Sequence, residues 1–332
     1  MPADKMRPRW ALVAHGGAGA ISRGQLSPQQ EAAYREAMAT AAETGAAVLR
    51  AGGSAMDAVE SAIHILEDDP LFNAGRGAAF TAEGRNELDA SIMDGRTLAA
   101  GAVAGVTTTR HPISVARSVI EGSAHVMLGG EGADAFARSQ GLEQVDPVYF
   151  FTERRWRALE KGLSNLGLPI PPRPVGAPDD MSGKAALVHE EGKHGTVGVV
   201  ARDGRGDVAA GTSTGGASAK RWGRVGDSPI IGAGTYASNK ACAVSCTGAG
   251  EYFIRLGVAH RICALVEYAG LSLQAAVDRV VQGDLTALGG DGGVIAVAPD
   301  GQMAWSFNTA GMYRARIADG EPLRVGVYED DA

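Results

Sequence analysis

A break in the sequence pattern near residue 170 places the strongest limit on how this chain can fold. Five of the 14 prolines lie between Leu168 and Pro178, and such a stretch cannot continue a helix or a sheet. Helical and strand segments alternate before it, whereas short strands joined by tight turns follow it. We therefore predict two halves of different character, joined by a flexible linker over about residues 160–195.

The first half contains two helices with clear start signals. Ser27 is suited to an N-cap and forms a capping box with Gln30, which predicts a helix that runs to about Arg50. A second helix is predicted from Ser54 to about Glu67. An apolar strand over residues 11–14 precedes both helices and leads into a loop, HGGAGA. A strand near residues 99–106, a helix from about residue 113, and a further strand and helix within 125–150 complete this half.

The second half is dominated by strand pairs. Residues 196–201 and 207–212 flank one turn, residues 293–297 and 303–307 flank another, and both pairs are typical of antiparallel hairpins. Two helical segments lie between the hairpins, over 251–268 and 271–282, with apolar residues spaced to cover one face of a sheet. The sequence predicts an α+β fold in which two sheets pack together between helical layers.

Composition restricts the partners that this chain can recognise. The net charge of −7 in 332 residues is not gathered into runs, so neither a nucleic-acid surface nor a membrane surface is expected. The three cysteines are too few for a secreted disulfide framework, and we find no signal peptide or membrane span. We expect a cytoplasmic protein whose partners are small neutral or zwitterionic molecules.

Several familiar motifs can be set aside. The run GEGADA at residues 130–135 matches a dinucleotide-binding fingerprint, but it does not belong to a repeated βαβ series, and we interpret it as a glycine-rich helix start. HExxH and CxxC patterns are absent from the sequence. His64 has an apolar helical spacing that is more typical of a packed histidine than of a metal ligand.

The pair Gly195-Thr196 stands at the end of the linker and at the start of a strand, which is a suitable place for self-cleavage. A threonine hydroxyl is a weak nucleophile and needs an adjacent base, which a free α-amine on the same residue can supply. The pKa of an α-amine is about 7.7–8.0, close to the pH at which a general base works best. Taken alone, however, a Gly-Thr pair is more typical of an edge strand.

Three clusters downstream place hydroxyls, charges and glycine N–H groups in tight turns: GTSTGG at 211–216, GRVGDSP at 223–229 and SCTGAGE at 245–251. Together with HGGAGA, LFNAGRGAAFT, ELDASIMDG, AGAVAGV, HGTVGVVA and FNTAGMYRA, they resemble the motifs of the plant-type asparaginases, also called isoaspartyl or β-aspartyl peptidases, especially the bacterial members. The motifs stand in family order from about residue 11 to residue 317.

The resemblance implies the αββα sandwich of the N-terminal nucleophile (Ntn) hydrolases. It also implies self-cleavage into an α subunit, 1–195, and a β subunit, 196–332, which together form one folded domain, and an (αβ)2 heterotetramer.

The resemblance also implies a role for each motif residue. Thr196 is the processing site and the nucleophile, and Thr214 supports its hydroxyl and its amine. Arg224 binds the substrate α-carboxylate and Asp227 the α-ammonium, a division that suits a guanidinium and a carboxylate. The remaining predicted site residues are Thr247 and Gly248 in the oxyanion hole, Gly250 at the substrate, and Asn73 near the nucleophile.

A further implication concerns a metal ion. Residues 66–76 match a loop that in some family members wraps a sodium ion with main-chain carbonyls. The residues concerned are Leu66, Glu67, Asp69, Phe72, Ala74 and Arg76. An ion held in this way would be structural, and the reaction itself requires no cofactor.

The predicted function is an autoprocessing threonine amidohydrolase that hydrolyses β-aspartyl dipeptides and L-asparagine and releases aspartate. A glycosylasparaginase shares this fold, but its members usually carry Asn where this chain has Gly215. A taspase-like endoprotease would have to read a longer peptide, and no insertion here suggests that it does. A non-catalytic protein that binds aspartyl compounds is the alternative outside enzymes. Without the resemblance, Arg224 and Asp227 would be interpreted as a solvated ion pair.

Overall fold

A computed structural model of the chain describes residues 8–178, 187 and 195–331. The strands are β1 (Ala11–Gly19), β2 (Leu88–Asp94), β3 (Ala100–Val106), β4 (Met127–Gly129), β5 (Val197–Arg202), β6 (Val208–Thr214), β7 (Thr235–Ala237), β8 (Ala243–Gly248), β9 (Gly292–Val297), β10 (Met303–Phe307), β11 (Gly311–Ala318) and β12 (Glu321–Tyr328). The helices are α1 (Pro28–Arg50), α2 (Ala55–Asp68), α3 (Pro112–Gly122), α4 (Gly130–Ser139), α5 (Glu153–Asn165), α6 (Gly250–Leu256), α7 (Val258–Glu267), α8 (Leu273–Asp278) and α9 (Thr286–Leu288).

The strands form two sheets that pack face to face. The large sheet has the order β12-β11-β1-β5-β6-β2-β3-β4 and the small sheet the order β10-β9-β8-β7. All neighbouring strands are antiparallel except β3 and β4. Helices α1, α2 and α3 cover the outer face of the large sheet, and α7 and α8 cover the outer face of the small sheet. The predicted αββα sandwich is confirmed.

Alternate residues of each strand face opposite sides of its sheet. In β1, Leu12 and Ala14 face the helices, whereas Ala11 and Val13 join Ile295 of the small sheet in the core between the sheets. The core between the sheets is therefore built from every second residue of each strand. The same alternation decides which polar side chains lie between the sheets.

The capping signals in the sequence predicted both early helices correctly. The Ser27 hydroxyl accepts a hydrogen bond from the Gln30 N–H, and the Gln30 side chain accepts one from the Ser27 N–H. Ser54 forms the same reciprocal pair with Asp57 at the start of α2. His64, on α2, stacks on another ring and bonds to a serine hydroxyl, which confirms that it is a packed histidine. No helix in the described part of the chain is long and apolar enough to cross a membrane.

Three predicted boundaries were wrong. The strand predicted over 11–14 continues to Gly19 through the presumed loop, because Gly16 packs against the ring of Phe72 where a Cβ would overlap it. The helix predicted over 251–268 breaks at Gly257, whose φ of 59° lies in the left-handed region. The last predicted helix becomes α8 followed by a π-helical segment, Arg279–Leu285.

The predicted linker is only partly covered by the structure. Helix α5 runs to Asn165, so the stretch without helix or strand begins after that residue rather than at about 160. Residues 166–178 contain no helix or strand. Residues 179–186 and 188–194, where most of the predicted linker falls, lie outside the described residues.

Candidate active site

Three threonines face the space between the sheets at one end of the sandwich. Thr214 ends β6, Thr247 lies near the end of β8, and Thr196 directly precedes β5. Each follows the inward-facing alternation of its strand, and all three are buried. The pairing of β5 with β6 sets Thr196 beside Thr214. The Thr196 hydroxyl donates a hydrogen bond of 3.0 Å to Thr214 Oγ1.

The Thr214 hydroxyl is fixed from a second side. The chain turns at Gly215 and Gly216 as soon as β6 ends, and the Gly216 N–H donates to Thr214 Oγ1 at 3.0 Å. Two donors therefore converge on this oxygen, one from the backbone and one from Thr196. The arrangement holds Thr196 Oγ1 in a defined position without involving a charged group.

Asn73 connects Gly195 to the turn after β6. The Asn73 N–H donates to the Gly195 carbonyl at 3.1 Å, and the Gly215 N–H donates to the Asn73 carbonyl at 2.9 Å. The Asn73 amide donates to Gly216 O at 2.7 Å, while its oxygen accepts from the Ala79 N–H at 2.7 Å. Both glycines lie against this side chain, because a Cβ on Gly195 would be 2.7 Å from Asn73 Cβ and one on Gly215 would be 2.5 Å from Asn73 Oδ1.

Thr247, which Gly248 follows at the end of β8, carries a hydroxyl that the described part of the protein does not use. Thr247 Oγ1 is fully buried and has no hydrogen-bond partner among the described residues. Gly248 pairs with Gly292 of β9 and packs against the ring of Phe253, 2.5 Å from where a Cβ would stand. A buried hydroxyl without a partner is uncommon in a folded protein. Because this hydroxyl faces the same space between the sheets as Thr196 and Thr214, it is available to a bound ligand.

Arg224 and Asp227 lie on the loop between β6 and β7, and they do not pair with each other. Arg224 instead forms two hydrogen bonds with the Glu251 carboxylate, at 2.9 and 3.0 Å. Asp227 is buried, and its Oδ2 has no hydrogen-bond partner among the described residues. Gly250 lies between them, since a Cβ there would be 2.8 Å from Asp227 Oδ1 and 3.2 Å from Arg224 Nη2. The solvated Arg224–Asp227 ion pair is therefore ruled out.

Burial governs the protonation of Asp227. Loss of hydration raises the pKa of its carboxyl to about 7, although the Arg224 cation acts in the opposite direction. The Glu251 and Asp89 carboxylates raise the pKa further. A cation that reached Asp227 Oδ2 would stabilise the ionised form and remove this penalty.

A layer of polar groups that the motifs did not predict lies directly below the threonines. His15 Nε2 is 3.0 Å from Ser245 Oγ, which is 2.7 Å from Thr212 Oγ1, and Thr212 accepts from Thr235 at 2.6 Å. Ser91 continues the chain by donating to Thr235 at 2.8 Å. All of these side chains are fully buried between the sheets.

Spacing could have revealed this layer. Thr212 stands two residues before Thr214, and Ser245 stands two residues before Thr247, so each pair shares one face of its strand. His15 has no such signal, because it comes from β1. Burial lowers the pKa of His15 to about 3, and the neighbouring Thr196 backbone opposes this shift only in part. The ring is therefore neutral at physiological pH.

Asp89 was also missed. It pairs directly with Thr214 across β2 and β6, faces the same side, and has one carboxylate oxygen without a hydrogen-bond partner among the described residues. Burial raises the pKa of Asp89, whereas the cations of Lys220 and Arg224 lower it. Strand pairing, which the sequence does not give, is what brings this carboxylate to the site.

The predicted ion loop lies behind the large sheet. The Glu67 side chain accepts hydrogen bonds from Ser213 Oγ at 2.6 Å and from the Ile113 N–H at 3.1 Å, and burial raises the pKa of its carboxyl well above the usual value. The main chain after α2 folds back so that Gly75 lies against the Glu67 carbonyl, where a Cβ would overlap it. The loop residues named above are Leu66, Glu67, Asp69, Phe72, Ala74 and Arg76, and the loop ends in a 3₁₀ turn, Gly75–Gly77.

A cavity of about 500 Å³ lies at the opposite end of the sandwich and contains none of the predicted site residues. It is lined by charged side chains of both signs, including Asp94, Arg96 and Arg117. The threonines, rather than this cavity, mark the candidate active site, because there a buried hydroxyl without a partner among the described residues faces the same space as a threonine hydroxyl that is held in place.

Comparison with known proteins identifies the family of this chain. A sequence model of the family described as Asparaginase matches residues 8–327. The chain is 51% identical over 323 residues to the isoaspartyl peptidase of Escherichia coli (strain K12), covering 96% of each chain. It is 51% identical over 326 residues to the isoaspartyl peptidase of Salmonella typhimurium, covering 96% of this chain and 98% of the relative. It is 42% identical over 330 residues to the probable isoaspartyl peptidase/L-asparaginase 2 of Arabidopsis thaliana, covering 96% of this chain and 99% of the relative.

Proposed function

The chain belongs to the asparaginase family whose sequence model it matches, and we propose that it is an autoprocessing threonine amidohydrolase that releases aspartate from β-aspartyl dipeptides and L-asparagine. Its relatives are named isoaspartyl peptidases and L-asparaginases. The observation that carries the proposal is that the Thr196 hydroxyl is held by Thr214 at the end of the sandwich where the Thr247 hydroxyl is buried without a partner among the described residues.

Self-cleavage would begin with attack of Thr196 Oγ1 on the Gly195 carbonyl carbon. The Asn73 N–H already donates to that carbonyl oxygen and would stabilise the negative charge that forms on it. The C–N bond then breaks and the nitrogen takes a proton, which leaves an ester between Gly195 and the Thr196 oxygen. Water hydrolyses the ester, so that residues 1–195 end in a carboxylate and residues 196–332 begin with a free amine.

The freed amine then serves as the base for substrate hydrolysis. It takes the proton of the Thr196 hydroxyl while the oxygen attacks the side-chain carbonyl of the aspartyl unit. Thr247 Oγ1 and the Gly248 N–H would hold the oxyanion, and donors of this kind commonly contribute about 10²–10³ in rate. Ammonia or an amino acid leaves with the proton, and water hydrolyses the resulting β-aspartyl ester to aspartate.

Recognition would rest on the two charged groups of the aspartyl unit. The substrate α-carboxylate replaces the Glu251 carboxylate on Arg224, so the guanidinium is paired with a carboxylate both in the free enzyme and in the substrate complex. The α-ammonium approaches Asp227 Oδ2, which has no partner among the described residues, and favours its ionised form. Gly250 leaves room between the two contacts because a Cβ would fill it.

A structural sodium ion would fit the loop behind the large sheet. Helix α2 ends at Asp68, so the carbonyls of its last turn lack partners inside the helix and lie at the negative end of the helix dipole. Carbonyl oxygens are suitable ligands for a hard cation. The main chain of Leu66, Glu67, Asp69, Phe72, Ala74 and Arg76 would hold the ion, which would stabilise the loop that carries Asn73 and take no part in the chemistry.

The mature protein would be an (αβ)2 heterotetramer in the cytoplasm that acts on small molecules. Each αβ unit would remain one folded domain after cleavage, because β5 and β6 of the second fragment lie between β1 and β2 of the first in one sheet. Separating the fragments would therefore break the large sheet at three places, between β11 and β1, between β1 and β5, and between β6 and β2. Gel filtration of the mature protein tests the assembly.

Gly215 argues against the glycosylasparaginase alternative. An asparagine side chain at this position would have to displace the Asn73 carboxamide and Ala78, both of which lie within contact distance of the missing Cβ. The non-catalytic alternative gives no reason for a self-cleavage site. A single assay with L-asparagine, a β-aspartyl dipeptide and a glycosylated asparagine, together with the intact mass of the protein, separates these possibilities. Uncut protein that binds aspartate without hydrolysing any substrate would refute the proposal.

A further inference from the structure

Trp222 stands on backbone that a tryptophan seldom adopts, and its side chain lies in solvent. Its φ is 58° and that of Gly223 is 66°, and the Arg224 N–H donates to the Arg221 carbonyl at 3.0 Å. Two consecutive positive φ values closed by this hydrogen bond are the features of a type I′ turn, whose central positions favour Asn and Gly. Trp222 is 88% exposed, so its burial against the described chain does not offset the strain.

The strained turn is attached to the candidate active site at both ends. Before it, Lys220 is buried and donates through Nζ to the Glu87 carbonyl at 2.8 Å. After it comes Arg224, the residue proposed to bind the substrate carboxylate. The Lys220 and Arg224 side chains both approach Gly216, whose N–H supports Thr214: a Cβ on Gly216 would be 3.1 Å from Lys220 Nζ and 3.5 Å from Arg224 Nη1. The turn therefore forms part of the rim of the site.

The exposed tip combines an aromatic surface with a positive charge. The Arg221 guanidinium lies over the Trp222 ring, with its carbon 4.3 Å from the ring centroid, an arrangement that aligns both groups. A β-aspartyl dipeptide differs from asparagine in its leaving group, which carries a free α-carboxylate and a side chain. The cation and the ring at the tip are complementary to those two groups.

We propose that Arg221 and Trp222 form a subsite for the leaving residue of β-aspartyl dipeptides, in which Arg221 pairs with its α-carboxylate and Trp222 packs against a large apolar or aromatic side chain. The inference rests on the proposed function and adds a substrate preference to it. Asparagine has neither group on its leaving side. The subsite thus favours dipeptides over asparagine, and dipeptides with large second residues over those with glycine.

The test compares kcat/KM for β-aspartylphenylalanine, β-aspartylglycine and asparagine in each variant. Trp222→Asn should lower the ratio of kcat/KM for the phenylalanine dipeptide to kcat/KM for asparagine by about 5- to 10-fold, the scale of one lost aromatic contact. Trp222→Tyr should retain at least about half of the ratio. Arg221→Gln should lower the ratio to asparagine for both dipeptides, because both carry the α-carboxylate.

Leu98 provides a matched control. It is also an exposed large apolar residue at positive φ, 62°, but it follows the end of β2 that is remote from Thr214. Leu98→Asn should leave all three rate constants unchanged. Both asparagine substitutions should raise the melting temperature by about 1–3 °C, because Asn tolerates the left-handed region. Such a rise in Trp222→Asn would show that lost dipeptide activity does not come from misfolding.

The same ratios of kcat/KM can also refute the inference. If Trp222→Asn leaves the phenylalanine ratio within about 1.5-fold of the parent, or lowers asparagine turnover equally, the subsite does not exist. A smaller particle mass on gel filtration with unchanged ratios would instead assign Trp222 to a contact between copies of the chain. If the parent enzyme hydrolyses none of the three substrates, the proposed function itself fails, and that result differs from an active parent with unaltered ratios.

Discussion

Replacing Asp227 by asparagine should stabilise the protein more at alkaline than at acidic pH, although it removes the group proposed to bind the substrate ammonium. The carboxyl is buried, and its pKa is raised from 3.8 to about 7. Because the folded state holds the proton more tightly than the unfolded state, stability is greatest at low pH and falls as the pH rises from about 4 through 7. An amide in the same place has no such pH dependence.

The size of the effect follows from the two pKa values. Each pKa unit corresponds to about 1.4 kcal/mol, so the full penalty above pH 7 is about 4 kcal/mol. At about pH 5.5 roughly 2 kcal/mol of that penalty is already present, since the unfolded carboxyl is ionised there. Between about pH 5.5 and 8.5 the parent protein should therefore lose about 2 kcal/mol relative to Asp227→Asn.

The assay is urea unfolding at these two pH values, with both proteins carrying Thr196→Ala so that each remains a single chain. The quantity of interest is the double difference: the free energy of unfolding of the variant minus that of the parent, compared between the two pH values. It cancels any change that does not depend on pH, including the different hydrogen bonding of an amide. Asp331→Asn is the matched control. The pKa of Asp331 is lowered to about 2, so this carboxylate is ionised at both pH values, and its double difference should be close to zero. A double difference below about 0.5 kcal/mol for Asp227→Asn, or one of opposite sign, would refute the reasoning.

Three further predictions concern processing and catalysis. The mature protein should consist of residues 1–195 and 196–332, with possible trimming at the end of the first fragment, as read by intact mass and N-terminal sequencing; an active but wholly uncut enzyme would contradict the mechanism. Thr196→Ala should stay uncut and keep its fold by circular dichroism, and asparaginase activity above a few per cent of the parent would show that another group attacks. Arg224→Ala and Asp227→Ala should each lower kcat/KM for aspartyl substrates by about 10² or more while self-cleavage persists at least in part. Arg261→Ala, which removes an exposed arginine from an ion pair elsewhere, should have little effect on either process.

The helices were the most predictable part of the fold because their signals are local. Ser27 and Gln30, which form the capping box of α1, stand within one helical turn of each other. The extension of β1 was not predictable in this way. The glycines that follow His15 predict a loop when only neighbouring residues are considered. In the structure, however, Gly19 pairs with Gly311 and Gly16 packs against a distant phenylalanine. Contacts between residues far apart in sequence decide the structure there.

The candidate site shows the same division between local and distant information. The motifs predicted which residues matter, and in the structure Thr196 and Thr214 share a hydrogen bond while Thr247 faces the same space between the sheets. The motifs did not reveal that the Glu251 carboxylate pairs with Arg224, because Arg224 lies on a loop and Glu251 in the first turn of α6, and the two meet only in the folded chain. The roles of the residues stay predictions that the experiments above test.

The alternation of the strands also explains why the layer beneath the threonines consists of neutral groups. The inward-facing positions two residues before Thr214 and Thr247 are Thr212 and Ser245, which are hydrogen-bonded to each other. The corresponding position after Thr196 is Gly198, which leaves room for the His15 ring from the neighbouring strand. A cation at this position would lower the pKa of the Thr196 amine after cleavage and weaken it as a base. Full burial keeps His15 neutral, so the fold fills the space beneath the nucleophile without that electrostatic penalty.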